Sequence, residues 1–327
     1  MDKRVLEAIL ERRSQGRNFV VASLVRVRGS VPQRPGARLL VDDDGALTGT
    51  IGGGCLEMEA RRRALDLLGE PRADVFELRL DDDFGWDDGL ICGGSATVLL
   101  DGDTLRQANL ATNVIEWMDT DRIGNAVSTH VTGPTIGTIE TTRVEPGSTQ
   151  SVWNADNGTL LEPVLPEPVL VVCGCGHVGS ALVRFASQVG FRTVAVDDRP
   201  EYADPARLPW ATEVVCDDPA RVACDWPSDA RTYWAVVTRG HRNDGRVLAG
   251  LVGRPSAYVG MIGSRRKIRM IREGLVREGA SVDAVARIHA PIGIDIGAQT
   301  PEEIALAIAA ELVAVRRLGS SAPLRPG

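Results

Sequence analysis

A glycine-rich turn in the second half of the chain restricts the fold more than any other feature. It lies in PVLVVCGCGHVGSALVRFASQVGFRTVAVDDR (168–199), where the pattern G-x-G-x-x-G falls on Gly174, Gly176 and Gly179. An apolar strand-like run precedes the turn, an apolar-periodic helix follows it, and a second strand ends in an acidic pair about 20 residues later. This context predicts the βαβ unit of a dinucleotide-type fold.

Each glycine of the turn has a separate mechanical role. Gly174 permits the tight turn, Gly176 lets a phosphate approach the backbone, and Gly179 lets the helix pack on the strand. The helix N-terminus then offers free N–H groups to an anion. Of Asp197 and Asp198, we expect one to bind a ribose-type hydroxyl and the other to lie in the turn.

Further strands and helices alternate after this unit. Strand-like runs occur at 212–216, 232–238 and 257–263, and helical stretches separate them. Such alternation predicts a parallel sheet with helices on both faces. The apolar character of the runs fits strands buried on both faces.

The first half has a different pattern. Helical periodicity over 2–16 and from Leu56 to Gly69 is mixed with strand-like runs, and short β-prone pieces fill 124–162. We therefore expect an α+β domain over 1–162, a proline-rich linker over 163–168, a Rossmann-like domain over 169–317 and a flexible tail over 318–327.

Two cysteines of the first domain accompany glycine turns. Gly53 and Gly54 precede Cys55 where a strand meets a helix, and Cys92 precedes Gly93 and a further glycine. Glycines there can adopt positive φ and point N–H groups at an anion, and a thiol at a helix N-terminus favours the thiolate. The alternative interpretation is that each cysteine is a small buried residue in a tight turn.

Two more segments follow strands of the second half. The run Gly263-Ser264-Arg265-Arg266-Lys267 opens a helix with basic residues, which opposes the helix dipole and favours an anion site; a solvated first turn is the alternative. His241 follows Arg239 and Gly240, and is a candidate for proton transfer or a loop histidine.

The candidate cofactor-binding residues of this half are Gly174, Gly176, His177, Gly179, Asp197, Asp198, Arg239, Ser264, Arg265 and Arg266. Cys175, within the glycine turn, is expected to be exposed near the phosphate.

Charge and cysteine content narrow the classes of function. The chain has 37 Lys and Arg against 44 Asp and Glu, a formal net charge of −7, which argues against a nucleic-acid binder or a polybasic membrane-surface protein. No run approaches the ~20 apolar residues of a membrane helix, and the N-terminus lacks a signal-peptide pattern. We therefore expect a cytoplasmic protein with reduced thiols.

Taken together, these motifs resemble the XdhC/CoxI family of xanthine dehydrogenase accessory factors. The resemblance spans nearly the whole chain and is weakest over about 103–165. The matching stretches, in order, are GSVPQRPGARLLV (29–41), GTIGGGCLE (49–57), ICGGS (91–95), VVCGCGHVGSAL (171–182), VDDRPEYA (196–203), VTRGHRND (237–244), YVGMIGSRRK (258–267) and HAPIGIDIGAQTPEEIALAIAAE (289–311). One departure is the GCGH turn, where GAGH is more usual.

The resemblance implies a role in maturing molybdenum hydroxylases such as xanthine or carbon monoxide dehydrogenase. The chain would bind molybdenum cofactor, as molybdopterin or a nucleotide-extended form, support its sulfuration and deliver it to the apoenzyme. A cysteine desulfurase is the other implied partner, and we expect a homodimer. Cys55, Cys92 and His241 are the candidates for chemistry, with Cys92 as a contact for molybdenum through the bound cofactor.

Two other functions remain open from the residues alone. The glycine turn with Asp197 and His241 also fits an NAD(P)-dependent oxidoreductase, and a nucleotide-sensing module without chemistry would carry the same turn. A stand-alone xanthine dehydrogenase is not expected, because the chain lacks an iron–sulfur cysteine set and the length of a molybdopterin hydroxylase domain.

Overall fold

A computed structural model describes residues 1–79, 94–119, 124–145, 148 and 150–319. The chain forms two compact units, Met1–Pro166 and Glu167–Gly327. In the part of the chain that is described, no helix is long and apolar enough to cross a membrane.

The described residues of the first unit form two antiparallel sheets and three helices. Its elements are α1 (Lys3–Ser14), β1 (Phe19–Gly29), β2 (Arg38–Asp42), β3 (Leu47–Gly49), α2 (Gly54–Asp66), β4 (Ala73–Arg79), β5 (Gly94–Asp101), α3 (Thr104–Asp119), β6 (Asn125–His130), β7 (Ile139–Arg143), β8 (Val152–Asn154) and β9 (Thr159–Pro163). The larger sheet has the order β3-β2-β1-β5-β4, and the smaller has the order β7-β6-β9-β8.

The central strands of the larger sheet, β2, β1 and β5, are largely buried on both faces, because helices cover each side. Successive side chains of a strand point to opposite faces. In β1, Val20 and Ala22 pack in the cluster that contains α2, whereas Phe19 and Val21 pack in the cluster that contains α1 and α3. This arrangement explains why β1 reads as one continuous apolar run and places α2, with its cysteine, on one face of the sheet.

A buried ion pair connects the two sheets of this unit. Arg38 of β2 donates to both carboxylate oxygens of Glu162 of β9, at 2.9 and 2.6 Å, and both side chains are buried. Two parallel N–H···O bonds of this kind fix orientation as well as distance.

The second unit is a parallel sheet between two layers of helices. Its elements are β10 (Val169–Cys173), α4 (His177–Gln188), β11 (Arg192–Asp197), β12 (Glu213–Cys216), α5 (Pro219–Asp225), β13 (Thr232–Val236), α6 (His241–Leu251), β14 (Tyr258–Met261), α7 (Arg265–Arg277), α8 (Val282–Ala286) and α9 (Pro301–Leu318). The strand order is β12-β11-β10-β13-β14, and all four pairings are parallel.

The order of strands sets the position of a crevice. The chain runs outward from β10 to β12 in one direction, then returns to β13 on the other side of β10. A ligand crevice in such a sheet forms at the carboxyl ends of the strands where the direction reverses, here between β10 and β13. The predicted fold class, an α+β domain followed by a Rossmann-like parallel-sheet domain, is confirmed.

Local sequence signals fix the last helix. Thr300 accepts from the Glu303 N–H, and the Glu303 carboxylate accepts in return from the Thr300 N–H, which forms a capping box. Buried residues of α9 pack beside α4 on one face of the sheet.

Candidate functional site

The glycine turn begins where β10 ends. Gly174 has φ +106°, and a Cβ on it would approach the Val237 carbonyl oxygen to 2.7 Å. A Cβ on Gly179 would lie 1.8 Å from the Gly174 oxygen, so only glycine lets α4 pack this closely. A Cβ on Gly176 would meet none of the described residues within 4 Å, which leaves room for a phosphate at the start of α4.

The carboxylate of Asp197 is directed at the backbone of this turn. It accepts from the Cys175 N–H at 2.7 Å and from the Arg199 guanidinium at 2.8 and 3.0 Å. Burial raises the pKa of the Asp197 carboxyl, but hydrogen bonds from Arg199 and Cys175 outweigh burial, and the pKa lies below its usual range. Both oxygens are thus engaged within the protein, and Asp197 positions the turn. Asp198 is exposed.

The expectation that Cys175 is exposed near the phosphate is wrong, because its side chain is 1% exposed and packs in the core beside α4 and α9. Burial, followed by the nearby charge of Asp197, raises the pKa of its thiol to about 12. The thiol therefore stays protonated and does not face a ligand. Cys173, at the end of β10, is also buried.

On the other side of the crevice, a buried aspartate joins three elements. Asp244 of α6 accepts from the Thr238 hydroxyl, which follows β13, at 2.5 Å, and forms an ion pair with Lys267 of α7. Burial raises the pKa of the Asp244 carboxyl above its usual value, although Lys267 and Thr238 oppose that shift. The Lys267 ammonium group is therefore engaged in an ion pair within the protein, whereas Arg265 and Arg266 of the same turn are exposed.

Those surface residues surround the carboxyl edge of the sheet. Ser264 caps α7 by accepting from the Lys267 N–H at 3.3 Å, so its hydroxyl has a structural role. Arg265, Arg266 and Arg239 are exposed, and none of the three forms an ion pair with another described residue. His177, the first residue of α4, is exposed. His241 begins α6, and its side chain lies outside the part that the structure describes.

In the first unit, Glu57 organises the turn that precedes Cys55. Its Oε1 accepts from the Thr50 hydroxyl at 2.5 Å, the Gly53 N–H at 3.0 Å and the Ile51 N–H at 3.3 Å. Gly53 and Gly54 have φ +77° and +51°, and a Cβ on either would meet none of the described atoms within 4 Å. Hydrogen bonds to Glu57 therefore hold the turn on one side, while the space beside Gly53 and Gly54 is open.

Cys55 is the second residue of α2 and is partly exposed. The predicted position of a thiol in the first turn of a helix is confirmed. Cys92 and Gly93 lie outside the described residues, so the predicted meeting of two thiols stays a prediction. Cys216 and Cys224 are exposed elsewhere, at the end of β12 and within α5.

Sequence reasoning overlooked the residues that hold these turns in place. Arg199 and Glu57 both lie inside stretches that we had quoted as motifs, but only the glycines, thiols and Asp197 were weighed. A signal was present for Glu57, because a carboxylate in the first turns of a helix is well placed to accept from the N–H groups that precede it. The Asp244–Lys267 pair required the structure, since the partners are 23 positions apart in sequence.

Comparison with known proteins identifies the family. The model of the XdhC and CoxI family matches residues 12–79, and the model of the XdhC Rossmann domain matches residues 170–312. This chain belongs to the XdhC/CoxI family. The two models follow one another along the chain as the first and second units do.

Three curated relatives extend over nearly all of the chain. A Bacillus subtilis protein, named as a probable subunit of xanthine dehydrogenase, is 24% identical over 96% of this chain and 97% of its own length. The molybdenum cofactor insertion chaperone PaoD of Escherichia coli is 25% identical over 95% of this chain and 88% of its own. The uncharacterized E. coli protein YqeB is 27% identical over 91% of this chain, which spans only 43% of YqeB.

The fold has a counterpart among solved structures. A Bacillus halodurans protein described as a xanthine dehydrogenase superposes with a TM-score of 0.81 and 24% identity, covering 98% of each chain. At this level of identity the likeness shows a shared two-unit fold.

Proposed function

We propose that the chain is an accessory protein that binds molybdenum cofactor, supports its sulfuration and delivers it to a molybdenum hydroxylase of the xanthine or carbon monoxide dehydrogenase type. The observation that carries the proposal is family membership across both units. The name of PaoD, an insertion chaperone for the same cofactor, points in the same direction. The cofactor is cargo here, and a stand-alone xanthine dehydrogenase activity is not proposed.

The Rossmann unit supplies features that suit an anionic pterin. The cofactor ends in a phosphate, sometimes extended by a nucleotide. An open glycine at the start of α4 offers backbone N–H groups to such a phosphate. Positive charge near the same edge of the sheet comes from Arg239, Arg265 and Arg266. None of these side chains forms an ion pair with a described residue. Gly174, Gly179 and Asp197 act by shaping the turn.

The first unit supplies the soft ligand that molybdenum or its sulfur would prefer. Cys55 presents a partly exposed thiol beside two open glycines, Gly53 and Gly54. Thiolates bind soft metals and sulfur species better than oxygen ligands do. We assign Cys55 to the chemistry of sulfuration or transfer, and we propose the same for Cys92 from its sequence position.

Delivery requires partners. We propose that a molybdenum hydroxylase apoenzyme accepts the cofactor and that a cysteine desulfurase provides sulfur. We further propose a homodimer, and a cytoplasmic location that fits the unpaired thiols of the described cysteines.

Reconstitution tests delivery directly. The chain is loaded with cofactor anaerobically and mixed with an apo molybdenum hydroxylase, and recovered activity is compared with that from an equal amount of free cofactor. We expect faster and more complete activation from the loaded chain, and a loss of that advantage in Cys55→Ala. Cys216→Ala, which removes an exposed thiol elsewhere, is the matched control. Equal activation by free cofactor would refute delivery.

A nucleotide is the second candidate ligand, favoured by the open glycine turn of the Rossmann unit. The internal bonds of Asp197 leave Asp198 as the exposed carboxylate for a ribose hydroxyl. Titration with NADH tests this alternative. Micromolar binding that Gly176→Val abolishes would support an NAD(P)-dependent oxidoreductase or a nucleotide sensor. If NADH does not bind, the pterin remains as the candidate ligand of the turn.

A further inference from the structure

A second cavity lies in the Rossmann unit, away from the glycine turn. It has a volume of about 760 Å³ and is lined by residues that precede and begin β14, by α8 and by the last turns of α9. Tyr258, the first residue of β14, lines it. In a parallel sheet the amino ends of the strands lie opposite the carboxyl ends, where the glycine turn is. The cavity is therefore separate from the crevice described above.

A histidine held by a buried glutamate forms part of its wall. His289 Nδ1 lies 3.0 Å from Glu311 Oε1, while the other oxygen of Glu311 accepts from the Tyr258 hydroxyl at 2.7 Å and the Gly293 N–H at 2.6 Å. Glu311 is 3% exposed. A histidine whose Nδ1 is fixed by a carboxylate presents Nε2 in a set orientation. The side chain of His289 is 17% exposed, and it lines the cavity.

Three arginines give the cavity positive charge. Arg254, Arg272 and Arg287 line it, and none forms an ion pair with a carboxylate of the described residues. Arg254 donates to the carbonyl groups of Ala223, Cys224 and Trp226, so it is fixed in place without being neutralised. The carboxylate of Glu311, behind His289, is already engaged by its three donors.

Arg272 has a buried donor that lacks a hydrogen-bond partner among the described residues. Its Nη2 donates to the Ile288 carbonyl at 2.8 Å, but its Nε is buried and no described residue accepts its hydrogen. A buried donor without a partner is costly, above all on a charged group, and such groups need an explanation. An acceptor bound in the cavity would satisfy it.

The remaining wall indicates what else the ligand contains. Leu251, Val259, Ile288 and Val315 contribute apolar surface. A cavity of this size that combines some apolar surface with convergent polar groups is typical of a small-molecule site. Guanidinium groups with several donors recognise phosphate oxygens well.

We propose that this cavity is a second ligand site, which binds a small organic phosphate with an apolar body through His289, Arg272 and Arg287. The arginines hold the phosphate oxygens, His289 presents Nε2 to the phosphate, and the aliphatic residues cover the body of the molecule. This site is independent of the proposed cofactor function.

Side-chain NMR of the full chain labelled with ¹⁵N-histidine tests the site. The probes are inorganic phosphate, phenyl phosphate and benzoate, and the His289 signal is assigned by its loss in His289→Gln. We expect a saturable shift of His289 with phenyl phosphate, and binding at least about tenfold weaker for inorganic phosphate and for benzoate. An absent His289 shift would overturn the site, and equal binding of benzoate would overturn the phosphate class.

Variants locate the binding. Arg272→Gln should weaken phenyl phosphate at least about tenfold, and Arg287→Gln, at an exposed position, should weaken it severalfold without a change in thermal midpoint. Arg277→Gln removes the same charge from α7 away from the cavity and should leave affinity within about twofold. Gly176→Val, which fills the glycine turn, should not alter the His289 shift. Equal weakening by Arg277→Gln, or no effect of either Arg272→Gln or Arg287→Gln, would overturn the proposal.

Discussion

At the scale of single residues, Asp197 shows how one carboxylate can set the geometry of a glycine turn. Its bonds to Cys175 and Arg199 link the glycine turn to the end of the neighbouring strand. The carboxylate therefore matters for the turn's geometry, and substitution should alter stability as well as ligand binding.

Asp197→Asn should lower the free energy of unfolding by about 1–3 kcal/mol at pH 7, because it weakens charge-assisted hydrogen bonds. The folded pKa of Asp197 lies below its usual range, so its stabilisation is present above the unfolded pKa and is lost as pH falls through the folded pKa. The gap between wild type and variant should therefore narrow in acid. Urea unfolding at pH 7 and pH 3 measures it, and a gap that is unchanged at pH 3 would be inconsistent with this role.

Residue types and spacing were enough to predict the glycine turns, but not the side chains whose hydrogen bonds hold those turns in place. Gly174, Gly176 and Gly179 were predicted with their roles, because a strand and a helix flank them in sequence. The burial of Cys175 was not predicted. A residue in a turn is expected to be exposed, and its burial here depends on how α4 and α9 pack around it. The long-range pairing of Tyr258 and His289 with Glu311 depends on how the last helix packs.

At the scale of elements, two helical glycines separate packing from helix propensity. Gly179 in α4 faces the Gly174 carbonyl group, whereas Gly245 in α6 has open space around it and a negative φ. The same substitution should therefore have opposite effects at the two positions.

Gly179→Ala should destabilise the protein by about 1–3 kcal/mol, because its Cβ forces α4 away from the sheet. Gly245→Ala should stabilise it by about 0.5–1 kcal/mol through helix propensity. Chemical denaturation of both variants measures these changes. Destabilisation of similar size at both positions would show that contact with the Gly174 backbone does not decide the effect.

The helices that sequence analysis identified are long ones with a clear apolar period, such as α1 and α4. The short helices α5 and α8 were not singled out, because five to seven residues give too few turns for an apolar period to show. The two sheets of the first unit were also not separated in advance, since pairing between β6 and β9 depends on distant segments.

At the scale of the whole molecule, the two units carry separate cores, and each should respond to its own mutations. The buried pair of Arg38 and Glu162 belongs to the first unit and joins its two sheets. Removing one partner leaves a buried charge without its counterpart.

Glu162→Ala should destabilise the first unit by about 3–5 kcal/mol. Hydrogen exchange should rise across Met1–Pro166 and stay near the wild-type level in the Rossmann unit. The double variant Arg38→Met, Glu162→Leu should recover much of the loss, because neither charge remains buried. A uniform rise in exchange over both units would argue against independent cores.

The measurement that tests the central claim most directly is the pterin content of the purified chain. The protein is prepared anaerobically from a host that makes molybdenum cofactor, the released ligand is oxidised, and fluorescent pterin and molybdenum are read per chain. We predict pterin close to stoichiometric with the chain, a clear fall in Cys55→Ala and Cys92→Ala, and no fall in Cys216→Ala. Pterin-free protein in every preparation would contradict the account and favour a nucleotide as the ligand of the glycine turn.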